Sequence, residues 1–421
     1  MKKLLSILGV VSLTVTGANN IVACNIETKT NEQKINFNQN VNELTCSFSN
    51  KNNLYFGTND GAFVLKDGET TATKIDGISS SVYSLAVDSK DNIYFGTNTG
   101  AFVFTHGSDT PTIVVGIDKI VNSIAVDSKD NIYFGTDNGA FALKNKTNKA
   151  FKINGIDGEI RTINCDSKNN IYFVGNIVWK ILNSKINNII HISGFSSLFD
   201  IYSMKIDKND DVYFSGVFID TILYKLENNS DNVIPVLYKK NNTIPRSKEN
   251  VISNLIIVND YIYVLEHNIF VFYDNKEKQF NSIKGYNENE NIQTAVYYNN
   301  NLYFGTNEKL YKLRINDKEA IKVNNIIGDL NNLISFKNKL FYSKNKNEIY
   351  SLFYSKNKNL YWIWIIISLL ILLIIIIILF VIKFKVKKSN YRKKKTYIKN
   401  LFYQYYVPCS ERQFEYFENK L

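Results

Sequence analysis

Histidine, cysteine, proline and tryptophan are all scarce in this chain of 421 residues, which has three, four, four and three of them. The histidines His106, His191 and His267 stand apart, without HExxH or any paired spacing, so the sequence offers no converging set of imidazole metal ligands. Each reads as a loop or strand residue. Four cysteines do not make a disulfide framework: Cys46 and Cys165 read as small core residues, and Cys24 and Cys409 lie near the two ends. No Gly-rich phosphate loop, GxSxG or CxxC motif occurs. No metal, cofactor or catalytic residue is therefore assigned, and the chain reads as a non-enzyme.

What is present is a repeat. Leu54-Tyr55-Phe56-Gly57-Thr58 returns as Ile93-Tyr94-Phe95-Gly96-Thr97 and as Ile132-Tyr133-Phe134-Gly135-Thr136. Weaker copies follow at Tyr172, Tyr213, Tyr263, Tyr303 and Phe341. The first seven tyrosines are 39, 39, 39, 41, 50 and 40 residues apart, the long step holding a polar insertion around Lys239–Asn242. Each unit contains four short apolar runs separated by turn residues. Val82–Val87 leads through Asp88-Ser89-Lys90-Asp91-Asn92 to Ile93–Thr97. Asn98-Thr99-Gly100 then turns the chain into Ala101–Phe104, and Thr112–Val115 ends at Gly116. Four strands in about 40 residues, with no room for helices, predict an all-β propeller of about eight four-stranded blades, or seven if one weak copy is not a blade.

The eighth unit lacks a fourth strand, whereas Gln33–Phe37 ahead of the first unit resembles one. Pairing the two would close the ring and hide a bare edge. Thr45, Ser84, Ser123, Thr162, Ser203, Ser253, Thr294 and Asn332 fall at matching places in the first strands. Small side chains there suit crowding at the axis, with the hydroxyls bonded to backbone.

The stretch Val126-Asp127-Ser128-Lys129-Asp130-Asn131-Ile132-Tyr133-Phe134-Gly135-Thr136-Asp137-Asn138-Gly139 resembles the repeat of two-component-regulator-type propellers. It departs by placing Asp130 where that family prefers glycine and Tyr133 where it prefers tryptophan. The resemblance implies a sensing or binding propeller and names no ligand.

The ends predict a membrane protein. Lys2 and Lys3 precede the apolar run Leu4–Val15, as in a secretory signal, and Ile21-Val22-Ala23-Cys24 resembles a bacterial lipobox, which implies lipidation of Cys24. Residues 360–382 are apolar and uncharged, and roughly 33 Å of helix crosses a hydrocarbon core. Tyr361, Trp362 and Trp364 flank one side, and eight Lys/Arg between Lys383 and Lys395 flank the other. The expected organisation is a signal over 1–24, an extracellular propeller over 25–359, one transmembrane helix over 360–382 and a basic cytoplasmic tail over 383–421. With its Asn-, Lys- and Ile-rich composition, the chain resembles surface lipoproteins of wall-less bacteria such as spiroplasmas and mycoplasmas.

The net charge of +11 is concentrated in the tail, which has 11 Lys/Arg against 3 Glu. Removing that +8 and the +2 of Lys2 and Lys3 leaves +1 for the remainder, so nucleic acid is not an expected partner. The Asp88, Asp127, Asp166 and Asp207 series lacks the twelve-residue ligand pattern of a calcium loop and reads as turn capping. Asp76, Asp118, Asp157, Glu159 and Asp200 gather in the loops after fourth strands, on the expected face of the second-to-third-strand hairpins. The candidate contacts on that rim are Asn59, Asp60, Asn98, Thr99, Asp137 and Asn138 in the hairpins, with Asp118 and Asp157 in the loops. The expected function is a cell-surface receptor or adhesin for a protein or glycan. A transmembrane sensor or envelope assembly factor, with a cytoplasmic partner for the tail, is the alternative, and an extracellular hydrolase the third.

Overall fold

The computed structural model describes residues 30–50, 52–195, 199–218, 221–238, 253–266, 269–274, 279–337, 339–354 and 358–405. The signal segment with Cys24, the insertion at 239–242, His267 and the tail beyond 405 lie outside the described residues. The chain divides into a unit spanning Thr30–Tyr354 and a second containing the C-terminal helix.

Thr30–Tyr354 is a propeller of eight blades. Six are separate four-stranded sheets, and the first and last are joined into one eight-stranded sheet. Every blade begins at its innermost strand and runs outward through antiparallel neighbours, as in Val82–Val87, Ile93–Thr97, Gly100–Phe104 and Thr112–Ile113 of blade 2. The second strands are buried on both faces because each blade is sandwiched between two others. Tyr and Phe alternate along them, so one ring serves each boundary. Tyr133 of blade 3 meets Phe173 of blade 4 edge to face, with centroids 6.2 Å apart.

The glycine after the Tyr-Phe pair of blades 1, 2, 3 and 7 has a steric cause. A Cβ on Gly96 would stand 2.7 Å from Val121 Cγ1 of the next blade, and one on Gly135 would stand 2.6 Å from Ile160 Cγ2. The absence of a side chain lets successive inner strands approach.

Closure follows the expected route. The N-terminal strand Thr30–Phe37 pairs antiparallel with Glu348–Tyr354, Gln33 opposite Ser351, and completes blade 8. Its far end runs parallel to the outer strand of blade 1, Asn36 opposite Thr71. Parallel contacts also tie the outer strands of blades 2 and 3 (Val115 and Lys149), 4 and 5 (Ser193 and Asn232), and 6 and 7 (Lys284 and Glu319). A peripheral clasp thus recurs at every second boundary.

The C-terminal helix Lys358–Tyr405 has 48 residues, roughly 72 Å. Its apolar part reaches a mean hydropathy of 3.2 and is not covered by protein, and it is long and apolar enough to span a membrane. The helix continues without a break into the basic segment.

Candidate functional site

The two ends of the strands make two different faces. On the first, the second-to-third-strand hairpins are tied by a threonine. Thr97 Oγ1 donates to Gly100 O at 2.8 Å and accepts from Thr99 N at 3.1 Å. Thr58 and Thr136 do the same at Gly61 and Gly139. These bonds hold the intervening side chains on the surface, and Asn59, Asn98, Thr99, Asp137 and Asn138 are all exposed.

The eight candidate residues share this rim, and their bonds run to near neighbours. Asp60 is held by Asn42, whose backbone N and Nδ2 donate to its two oxygens at 2.8 and 2.9 Å. Asn59 donates to Glu43 at 3.1 Å, and Thr99 donates to Ser80 at 3.3 Å. Asp157 pairs with Lys152 at 2.7 Å, whereas Asp118, 87% exposed, lies 3.7 Å from Lys119.

Side chains that the sequence did not single out occupy the same rim nearer the axis. Six of the eight inner strands bulge near their start, for example between Val82 and Ser84, Val121 and Ser123, Ile201 and Ser203, and Ile292 and Thr294, whereas those of blades 4 and 6 pair in continuous register. A bulge re-aims the extra residue. Here the extra residues are Tyr83, Asn122, Tyr202 and Gln293. Tyr83 and Tyr202 are exposed, while Asn122 Nδ2 donates to Ile160 O at 3.2 Å and Gln293 Nε2 to Asp329 Oδ1 at 2.7 Å across blade boundaries. Just before the inner strand of blade 4, Arg161 reaches Asp200 at 3.3 Å, Asn176 at 3.2 Å and Glu159 at 3.6 Å. The signal for these positions is a two-against-one count between strands, which appears only once the register is known.

The axial ring needs two corrections. The register puts Cys46 opposite Gly57 and Asn254 opposite Leu265, so Cys46 and Asn254, rather than Thr45 and Ser253, stand where Ser84 and Ser123 stand. The cause is a first-to-second-strand turn one residue shorter in blades 1 and 6. The expected bonding is present. Ser84, Ser123, Ser203 and Thr294 accept from the backbone N of Ile124, Ile163, Leu255 and Leu333 at 3.0–3.3 Å, each in the next blade. These bonds satisfy donors on the open edges of the inner strands. At Cys46, burial pushes the thiol up to about 12, so it stays protonated.

One further rim cluster is buried. Glu290, 1% exposed, receives Lys309 Nζ at 2.5 Å, Thr306 Oγ1 at 2.7 Å, Tyr311 OH at 3.2 Å and Asn287 Nδ2 at 3.3 Å. Burial alone would raise its pKa, but these donors, Lys309 first, outweigh it and hold the carboxyl below its ordinary value. Every neighbour is an internal donor, so the cluster fastens the loop between blades 6 and 7.

On the opposite face lie the Asp turns. Asp88 Oδ1 accepts from the backbone N of Lys90 and Asn92 at 2.9 Å, and Oδ2 accepts from Asn92 Nδ2 at 2.7 Å and Tyr94 OH at 3.4 Å. Asp127 and Asp166 repeat the pattern, and the Oδ1 of Asp207 caps its turn likewise. Turn capping is therefore their role. Among the described residues, no group of three His, Cys, Asp or Glu side chains converges as metal ligands would. His106 and His191 are exposed.

No protein-family model and no curated protein matches the chain. Solved structures do. The computationally designed Ika8 protein superposes with a TM-score of 0.61 at 12% identity, over 77% of this chain and all of the other. BamB from Moraxella catarrhalis gives 0.55 at 10% identity, over 78% of this chain and 98% of the other. The extracellular domain of a hybrid two component system from B. thetaiotaomicron gives 0.48 at 14% identity, over 76% of this chain and 39% of the other. The first two, at 12% and 10% identity, show a likeness of fold, that of a β-propeller.

Proposed function

We propose that this chain is a membrane-anchored surface propeller that binds a protein or glycan without transforming it. The observation that carries this reading is the exposure of Tyr83 and Tyr202 beside the axis, on the rim that also presents Asn98, Thr99, Asp137 and Asn138. Tyrosine offers large contact area and a hydroxyl at little conformational cost, which is why it is enriched among residues dominating binding energy. The anchor is the apolar helix, with Cys24 as the proposed lipid attachment; the basic segment then lies in the cytoplasm. The test is binding of the full-length chain, labelled and held in lipid nanodiscs, to host-cell surfaces and a glycan array. Saturable binding that Tyr83→Ala and Tyr202→Ala together reduce by about tenfold or more supports the reading. Binding that is indifferent to both substitutions overturns the rim as its site.

A second reading, a sensor or assembly factor, is favoured by the helix running unbroken from the apolar into the basic segment. A continuous helix resists bending and would carry a displacement across the membrane. Deleting the residues after Lys395 separates the two: adhesion survives the deletion, while signalling or complex assembly does not.

A further inference from the structure

Blades 2 to 4 repeat each other closely, so a place where one boundary is filled and its counterpart is open is informative. At the boundary of blades 3 and 4, Ser184 of blade 4 donates its hydroxyl to Asp127 Oδ2 at 2.6 Å. That oxygen already accepts from Asn131 Nδ2 at 2.9 Å and Tyr133 OH at 3.2 Å. At the boundary of blades 2 and 3 the corresponding acceptor is Asp88 Oδ2, with its bonds from Asn92 and Tyr94. The residue corresponding to Ser184 is Lys146. Ser184 lies three positions after Ile181, which faces Ile171, and Lys146 three positions after Leu143, which faces Ile132. Both are held in the left-handed region, with φ of 56° and 64°. Lys146 is exposed and donates nothing to Asp88.

A cavity of about 270 Å³ stands there; its lining includes the apolar Val103 and Leu143, Tyr94, the carboxylates Asp88 and Asp130, and the ammonium groups of Lys90, Lys144 and Lys146. Its size falls just short of drug-sized pockets, which suits a single sugar ring. Asp88 is 7% exposed, and its Oδ2 has two donors where the Oδ2 of Asp127 takes three.

We propose that this cavity binds one acidic sugar residue. A ring hydroxyl of the ligand donates to Asp88 Oδ2, the bond that Ser184 makes to Asp127 from within the chain. The apolar face of the ring lies on Val103 and Leu143, and Lys144 and Lys146 take its carboxylate. Asp88 and Asp130 are each engaged by internal donors, and the three lysines of the lining, Lys90, Lys144 and Lys146, outnumber the two carboxylates. The site is on the face opposite the hairpin rim, so it stands or falls independently of the function proposed above.

The test is calorimetric titration of D-glucuronate into the full-length chain in nanodiscs, with D-glucose and acetate as controls. Saturable binding at one site per chain is expected, with glucose and acetate each weaker by about tenfold or more. Lys146→Ser restores the internal hydroxyl and is expected to weaken glucuronate by about tenfold or more while leaving the thermal transition in place. Lys144→Ala, an exposed change, reduces the preference for glucuronate over glucose. Rim substitutions at Tyr83 and Tyr202 leave all of this unchanged. Absence of saturable glucuronate binding, equal binding of glucose or acetate, or unaltered binding by the Lys146→Ser protein overturns the proposal.

Discussion

Asp130 of blade 3 reaches across the blade boundary to Ser89 of blade 2, accepting from its hydroxyl at 2.7 Å and from its backbone N at 2.9 Å. Asn169 does the same to the backbone of Ser128 at 2.8 Å, and Asp210 to Ser167 at 3.0 and 2.7 Å. Asp130, Asn169 and Asp210 all have φ near +60°. Here the repeat departs from the glycine of the family it resembles. A short polar side chain tolerates the left-handed backbone and adds a clip that glycine cannot make.

Asp130→Gly is expected to relax the backbone but lose the clip, for a net loss of about 1 kcal/mol after allowing for solvent exposure. Asp130→Ala loses both the clip and the tolerance of positive φ, and is expected to cost about 2 kcal/mol. Asp130→Asn, which copies the residue at 169, stays within about 0.5 kcal/mol. Chemical denaturation of the three proteins checks the order.

Gly135→Ala places a methyl 2.6 Å from Ile160 Cγ2. Ile160, just before the inner strand of blade 4, must shift, and overpacking of this kind costs about 1–3 kcal/mol. A lowered denaturation midpoint with unchanged m-value is the expected result.

Glu290 gives the stability a pH dependence of definite sign. Its folded pKa lies below the ordinary 4.5, so on acidification the unfolded chain takes up the proton first. The contribution is fully present above 4.5 and is lost as pH falls through the folded value. Lys309 has the opposite sense: its hydrogen bond to Glu290 raises its pKa above 10.5, so its contribution persists below that value and is lost at higher pH. Glu290→Gln is expected to flatten the acid limb and to cost about 1–2 kcal/mol near neutrality, because the charge-assisted bonds to the carboxylate weaken while Lys309 keeps Glu308 as a partner. Thermal melts from pH 3 to pH 7 read both effects; an acid limb as steep as in the parent chain would count against this assignment.

Ile35, 3% exposed, lies in the strand that closes the ring and packs in one cluster with Phe56, Phe63 and Phe341. Ile35→Asp buries a carboxylate among these rings and is expected to cost about 3–5 kcal/mol. Release of Thr30–Phe37 bares the edge of Glu348–Tyr354, so faster hydrogen exchange there and self-association in light scattering are the expected signs.

The sequence alone determined the repeat, the four strands in each unit, a count of seven or eight blades and the closing role of Gln33–Phe37; the sheet topology fixed the count at eight. It also determined the apolar helix and the capping role of the Asp series. All of these arise from local turn chemistry and strand patterning, which every unit writes out again. Tertiary structure decided whatever depends on register or on a neighbouring blade. One residue fewer in a turn places Cys46, not Thr45, in the axial ring. A bulge turns Tyr83 and Tyr202 onto the rim, although their sequence context resembles that of buried tyrosines. Asp130 and Glu290 find partners in other turns and strands, through contacts that leave no short-range pattern. Whether the third position on a turn aspartate is filled by Ser184 or left open beside Lys146 depends on side-chain packing between two blades, and that packing exists only once the ring has closed.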